Sequence, residues 1–298
     1  MKIFDCITYF DEPMLFDLRL NILNRYVDKF IVIEAKYTHS GKDKKLNFDI
    51  NNFKKFQDKI IYKIIEKQPE NIVKINISDY ISTQSQKKRM NSLKRIELSY
   101  DKALECLNDA SPDDVFILSD SDEIPNLEIV NLDKINNKIL MFKQKMFYYK
   151  FNLYYDLIPW FGSRACKIKR LISPSWLRNT KPKKYPFWRV DAIFSKTRYN
   201  QVKIIENGGW HFSQLKSPED IEKKLFNFGH HNEVEISGIN LEQIKKMVRE
   251  KKVYYDHLSD KTQKKERSIG YDLKKLDLSE LPTYLKNNFE TYKEWFDN

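Results

Sequence analysis

"VFILSDSDEIP" occupies residues 115–125. Val115 to Leu118 form the apolar run expected of a buried strand, and the run gives way at once to Asp120, Asp122 and Glu123. A buried strand that opens onto three carboxylates brings negative charge to one place. In an extended chain, residues two apart face the same side. Asp120 and Asp122 are therefore expected to face one ion while Ser121 turns away. Two hard oxygen ligands suit Mg²⁺ or Mn²⁺ and leave positions for water and phosphate oxygens. A helix N-cap with an acidic first turn would use one of the three carboxylates and leave two unexplained. An EF-hand loop also begins Asp-x-Asp, but its sixth position needs glycine, and here that position is Pro125.

Working outward, the first third alternates strand and helix. "KIFDCITYF" is strand-like, and Leu15, Leu18, Ile22 and Tyr26 recur at helical spacing behind Pro13, which suits a first helical turn. "KFIVIEA", ending near Glu34, and "DKIIYKII" read as two further strands, followed by a long helical region before the acidic block. Strands separated by helices imply an α/β fold with a largely parallel sheet covered on both faces. Ligands of such sheets bind beyond the carboxyl ends of the strands, where Glu34, Asp120 and Asp122 all fall.

After residue 138 the chain becomes strongly aromatic and β-like, and residues 218–250 look helical. No repeat or flexible linker separates the halves, so 1–137 and 138–298 are expected to form one continuous body. The aromatic stretch Phe147, Tyr148, Tyr149, Phe151, Tyr154, Tyr155, Trp160 and Phe161 reads mostly as core, with Trp160 and Trp188 as the exposed rings that could stack on a sugar.

The net charge of +11 comes from lysines dispersed among acids, and it attracts anions such as sugar nucleotides or acidic lipids. No helix-turn-helix, zinc-finger or RNP-like pattern accompanies it, so nucleic acid is not an expected partner. The N-terminus "MKIFDCITYFDEPM" lacks a basic start before a cleavable apolar region. A cytoplasmic enzyme, with peripheral contact to the inner face of an anionic membrane, is the expectation. Cys6, Cys106 and Cys166 have no metal-ligand spacing and read as reduced thiols.

Four blocks in order resemble glycosyltransferase family 17, which includes the β-1,4-mannosyl-glycoprotein β-1,4-N-acetylglucosaminyltransferase. They are "IFDCITYFDEPMLFDLRLNIL" with "VDKFIVIEAKYTHSGKDKKLNF", then "DDVFILSDSDEIP", "GGWHFS" and "LPTYLKNNFETY". In the helix before the acidic block the chain departs from the family's Arg-Asn pair and reads "SYDKAL".

The resemblance implies a GT-A-type, Rossmann-like fold with residues 1–137 as the nucleotide-sugar half and 138–298 as the acceptor side. It also implies an inverting, metal-assisted transfer from a UDP-sugar to a hydroxyl of a glycan or lipid-linked saccharide. By position, Asp120 and Asp122 would hold the metal and the donor diphosphate, with Mn²⁺ or Mg²⁺ as the ion and His211 completing its site. Glu34 would lie near the nucleobase or ribose, and Thr38, His39 and Arg19 would belong to the same donor site. A base for the acceptor hydroxyl would come from the second half, where Glu233, Asp191 and Glu206 are the candidates. Two other readings stand beside this one. The first is a haloacid-dehalogenase-type phosphatase with Asp120 as nucleophile, and the second a glycan-binding protein without catalysis.

Overall fold

The computed structural model describes residues 1–135, 138–181, 201–229, 231–253 and 270–297. Its centre is β1 (Ile3–Thr8), whose residues alternate between two faces: Phe4 and Cys6 enter one apolar cluster, Ile3 and Ile7 the other. β2 (Lys29–Ala35) and β4 (Val115–Asp120) pair with β1 in parallel, and β3 (Ile60–Ile65) extends the sheet beyond β2. In this register Thr8 lies opposite both Ile33 and Asp120, so the strands end at one level. The four strands read from the sequence are all present, and the α/β class with a largely parallel sheet flanked by helices is as expected.

Helix α1 (Pro13–Leu23) begins on Pro13, whose missing N–H is no loss in a first turn. It buries Leu15, Phe16, Leu18, Leu20 and Leu23 against one face of the sheet. Helix α2 (Ile81–Asp101) covers the opposite face, packing Tyr100 and Ile96 beside Phe4, Cys6 and Leu118.

The second half joins the same sheet. β6 (Ile139–Tyr148) and β7 (Leu153–Lys167) form a long antiparallel pair, and β7 also pairs antiparallel with β4. Beyond β6 lie β8 (Val202–Ile205) and β9 (Gly209–Ser213), both parallel to it, and β9 pairs with the short β5 (Glu123–Pro125). That last pairing closes the chain back onto the acidic block, with Glu123 opposite His211. It explains the "GG" before Trp210. Gly209 has φ +131°, and a Cβ there would stand 2.1 Å from the Ile124 carbonyl oxygen, so only glycine allows the approach.

Helices α4 (Pro218–Leu225), α5 (His231–Ser237) and α6 (Leu241–Glu250) supply Ile221, Leu225, Val234 and Ile244 to a third apolar cluster with Met146, Tyr148, Tyr149 and Tyr155. Most of the aromatic stretch is thus core, as the sequence suggested. α3 (Pro174–Asn179) lies on the α2 face. Cys6 and Cys166 are buried free thiols, and Cys106 is a free, half-buried one.

Candidate active site

The site lies where β1, β2 and β4 end together. Along β4 the alternation that sends Val115 and Ile117 toward α1 also sends Ser119 that way, and Asp120 goes with Leu118 toward α2 and α3. Asp120 there accepts the Tyr100 hydroxyl at 2.8 Å and pairs with Arg178 of α3 at 2.5 Å. Arg178 also grips Glu123, with both nitrogens 2.9 Å from its carboxylate, and donates to the Gly162 carbonyl at 3.0 Å. Trp160 Nε1 donates to the same carboxylate at 2.9 Å, and so does the Asp120 backbone N–H at 3.0 Å.

Asp122 goes elsewhere. Ser121 and Asp122 form a turn between β4 and β5, so the period-two reading of this stretch fails at the point where it was needed. Asp120 and Asp122 meet different partners. Asp122 is 3.0 Å from Lys224 of α4 and 3.4 Å from His211 Nε2, and Ser121 donates to Glu12 at 3.0 Å. Lys224 stands 3.1 Å from Glu12 as well, with Lys216 at 3.9 Å from the same carboxylate. His211 stacks on Trp160 with ring centres 4.6 Å apart.

The protonation states follow from these pairings. Burial would raise the Asp122 carboxyl, but Lys224 and His211 outweigh it and hold it well below the carboxylate range. Burial acts the same way on Glu123, and Arg178 overrides it, bringing that carboxyl to about 2. Glu12 is likewise lowered, because Lys224 and Lys216 outweigh its desolvation. Asp120 is different: burial dominates and raises it despite Arg178. The acidic block is therefore two ion-pair clusters side by side, Asp120–Arg178–Glu123 and Glu12–Lys224–Asp122.

Among the described residues, no group of three or more His, Cys, Asp or Glu side chains converges as a metal site. A smaller set is Asp122 Oδ1 with His211 Nε2, 3.4 Å apart; adjacent ligands of an octahedral ion with bonds near 2.1 Å stand about 3.0 Å apart, so the pair would have to close by about 0.4 Å to hold one. That separation is longer than a charge-assisted hydrogen bond. The buried His211 Nδ1 has no hydrogen-bond partner among the described residues. Mg²⁺ and Mn²⁺ commonly bind through one or two protein side chains and take the rest from water and phosphate.

The remaining sequence-selected residues are dispersed. Arg19 is fully buried behind the site: it holds Asp5 through two bonds of 2.6 and 2.5 Å, Ser119 at 2.9 Å, and the Glu123 carbonyl. Its guanidinium braces β1, β4 and β5 from beneath and presents no surface to a donor. Glu34 is also buried, and its two oxygens accept Asn47 N–H at 2.8 Å, Phe48 N–H at 3.1 Å, the Tyr62 hydroxyl at 2.8 Å and the Lys44 ammonium. It orders the loop after β2. Thr38 accepts the Lys42 N–H at 3.1 Å, closing a turn. Gly41 completes that turn at φ +95°, where a Cβ would stand 2.4 Å from the Arg95 guanidinium.

The His39 carbonyl accepts Ser92 at 3.0 Å and Arg95 at 3.1 Å, which ties the loop to α2. Burial, then the nearby Arg95 and His231, lower the His39 ring to about 4. A histidine kept neutral this way costs stability on acidification. The unfolded chain takes up its proton near pH 6.5 and the folded one only near 4, so stability falls as pH drops through that window and levels off below it. His39→Gln should remove on the order of 2 kcal/mol of that pH dependence. Urea melts at pH 7 and pH 4.5 check it, and an unchanged difference between the two would refute the assignment.

Glu206 sits on an exposed turn, paired with Lys143 at 2.8 Å. Glu233 falls within α5, with its side chain outside the described residues, and Asp191 and Trp188 also lie outside them. Sequence reading missed Glu12, Tyr100, Arg178 and Lys224. Tyr100 was visible as part of "SYDKAL"; the others are single residues among many of their type, without a local motif.

The sequence model of glycosyltransferase family 17 matches residues 1–296. No curated protein sequence matches the chain. The crystal structure of HddC from Yersinia pseudotuberculosis is a distant structural match, with TM-score 0.31 and 11% identity over 69% of this chain and 90% of that one. A likeness that low carries no functional argument. The family match covers all four blocks and the whole of the site just described, and the chain belongs to glycosyltransferase family 17.

Proposed function

We propose that this glycosyltransferase moves a sugar, with N-acetylglucosamine the first to test, from a UDP-sugar to a hydroxyl of a glycan or lipid-linked saccharide, with inversion. The observation that carries this reading is the pair of buried ion-pair clusters at the shared carboxyl ends of β1 and β4. It places two cations, Arg178 and Lys224, beside four carboxylates, Asp120, Glu123, Glu12 and Asp122, where a nucleotide diphosphate is expected to bind. Cell-surface polysaccharide synthesis at the inner face of the membrane is the setting we propose. Family membership makes the protein a transferase, and no observation favours the phosphatase or the silent binder. Both Asp120 oxygens are already engaged, by Tyr100 and Arg178, which suits a positioning carboxylate better than a nucleophile.

Asp122 and His211 would hold the Mn²⁺ or Mg²⁺ ion, with Asp120, engaged by Tyr100 and Arg178, as a positioning carboxylate. The ion would supply Lewis-acid neutralisation of the departing diphosphate. The chain's own residues do the rest. Arg178 and Lys224 are held by neighbouring carboxylates before the donor arrives, so they stabilise the charge developing on the leaving group without reorganising. Glu12 and Glu123 keep those cations in place. The Trp160 ring, stacked on His211, walls the site on the β7 side. The acceptor proton must leave on the face opposite the nucleotide, and Glu233 and Asp191 are the proposed bases.

Calorimetric titration of UDP, with Mn²⁺ and then with chelator, tests the reading. Binding in the presence of metal and its loss with chelator are expected. Absence of UDP binding in both conditions would reject UDP as the donor nucleotide.

A further inference from the structure

Helix α2 is anchored to the body at its middle, and Lys88 pairs with Glu235 of α5 at 2.8 Å. Ser92 and Arg95 reach the His39 carbonyl at the carboxyl edge of the sheet. From Ser92 the helix runs back to Ile81, about 16 Å of axis at 1.5 Å per residue, and this part projects beyond that edge. The segment before it folds over the projecting tip. Asn91 clasps the Val73 backbone by two bonds of 2.8 Å, Gln84 donates to the Asp79 carbonyl at 2.9 Å, and Lys87 pairs with Asp79 at 2.6 Å.

Asn91, Gln84 and Lys87 hold the tip together, while Lys74, Asn76, Ser82 and Arg89 are exposed on it. Apolar side chains are exposed among them: Ile77 is 100% exposed, Tyr80 85% and Ile81 82%, with Ile75 beside them. A patch of this kind on an otherwise polar element marks a contact surface.

We propose that this tip is a membrane anchor, with Ile77, Tyr80 and Ile81 entering the headgroup region of an anionic bilayer. Charge selects the occupant. Residues 71–94 contain Lys74, Lys87, Lys88, Arg89 and Lys94 against the single acid Asp79; Lys87 pairs with Asp79 and Lys88 with Glu235, which leaves the segment a net positive charge. Apolar groups in a basic segment match the interface of an anionic leaflet, where the apolar groups are buried and the basic side chains stay with the phosphates. A second copy of this chain would bring the same basic segment and a net charge of +11 against it, so the charge opposes self-association through the tip. No helix among the described residues is long and apolar enough to cross a membrane; the tip binds the surface only. Because it projects from the edge that carries the site, docking turns the site toward the lipid, where a lipid-linked acceptor would lie.

Flotation with vesicles of phosphatidylcholine plus phosphatidylglycerol, compared with phosphatidylcholine alone, tests the anchor. Wild-type protein should bind the anionic vesicles and release as salt is raised. The double substitution Ile77→Ser with Ile81→Ser should lower the partition coefficient roughly tenfold or more, with an unchanged thermal midpoint as the control for folding. Undiminished binding by that variant would reduce the interaction to diffuse charge and overturn the proposal. So would failure of the wild type to bind, or a wild-type dimer in lipid-free solution that the substitutions dissociate. The assay involves no sugar transfer, so its failure would leave the transferase reading untouched.

Discussion

Replacement of Asp122 by asparagine is expected to lower sugar transfer by about 10²–10³-fold while the fold survives. Asparagine keeps the shape and can still accept from Lys224, but it removes the charge that Lys224 and His211 both face. Asp122 acts through the cations it holds, Lys224 and the proposed metal ion, and a preorganised group that stabilises developing charge is typically worth about that factor. The fold should tolerate the change because Lys224 keeps Glu12 at 3.1 Å. The measurement is kcat and KM with the UDP-sugar that the wild-type enzyme turns over, together with a thermal melt. The predicted loss falls mainly on kcat. A variant with the full metal-dependent rate would show that Asp122 serves packing alone, and the proposed placement of the diphosphate would fall with it.

The largest effect on stability belongs to Arg19. It is fully buried, and Arg19→Ala would leave the Asp5 carboxylate, 1% exposed, without its cation while Ser119 and the Glu123 carbonyl lose a donor. Breaking a buried pair from one side costs about 3–5 kcal/mol. Removing both charges together, as in Arg19→Met with Asp5→Leu, should recover most of that, because no unpaired ion remains. Urea unfolding of the single and double variants checks the pair. A single variant less than about 1 kcal/mol below wild type would mean that water reaches Asp5 and that Arg19 is not the brace described. Activity of Arg19→Ala should fall only as far as its folded fraction falls, which separates bracing from donor binding.

How much could be read from the sequence depended on the range of the interaction. β1, α1, β2 and β4 were legible because their apolar periodicity is local, and the common level of their carboxyl ends follows from parallel pairing. The "GG" before Trp210 and the Gly41 of "THSG" were visible as blocks. Their cause, a backbone approach at Gly209 and the Arg95 guanidinium at Gly41, was not. The family resemblance assigns Arg19 and Glu34 to the donor site, Glu34 also by its place at the end of β2. In the structure both are saturated with internal bonds. A short distance along the chain does not say which way a side chain points once helices pack on both faces.

By itself, the sequence determined that an α/β sheet would carry Asp120, Asp122 and Glu34 to its carboxyl edge, because strand alternation and parallel pairing are set by residues close together in the chain. Only the tertiary structure decided that Asp120 and Asp122 part company. It also decided which cations meet them: Arg178 lies 58 residues from Asp120, and Lys224 lies 102 from Asp122. Ion pairs across such distances are chosen by how α3 and α4 dock on the sheet, and that docking is driven by apolar burial, which is indifferent to the charge it brings along.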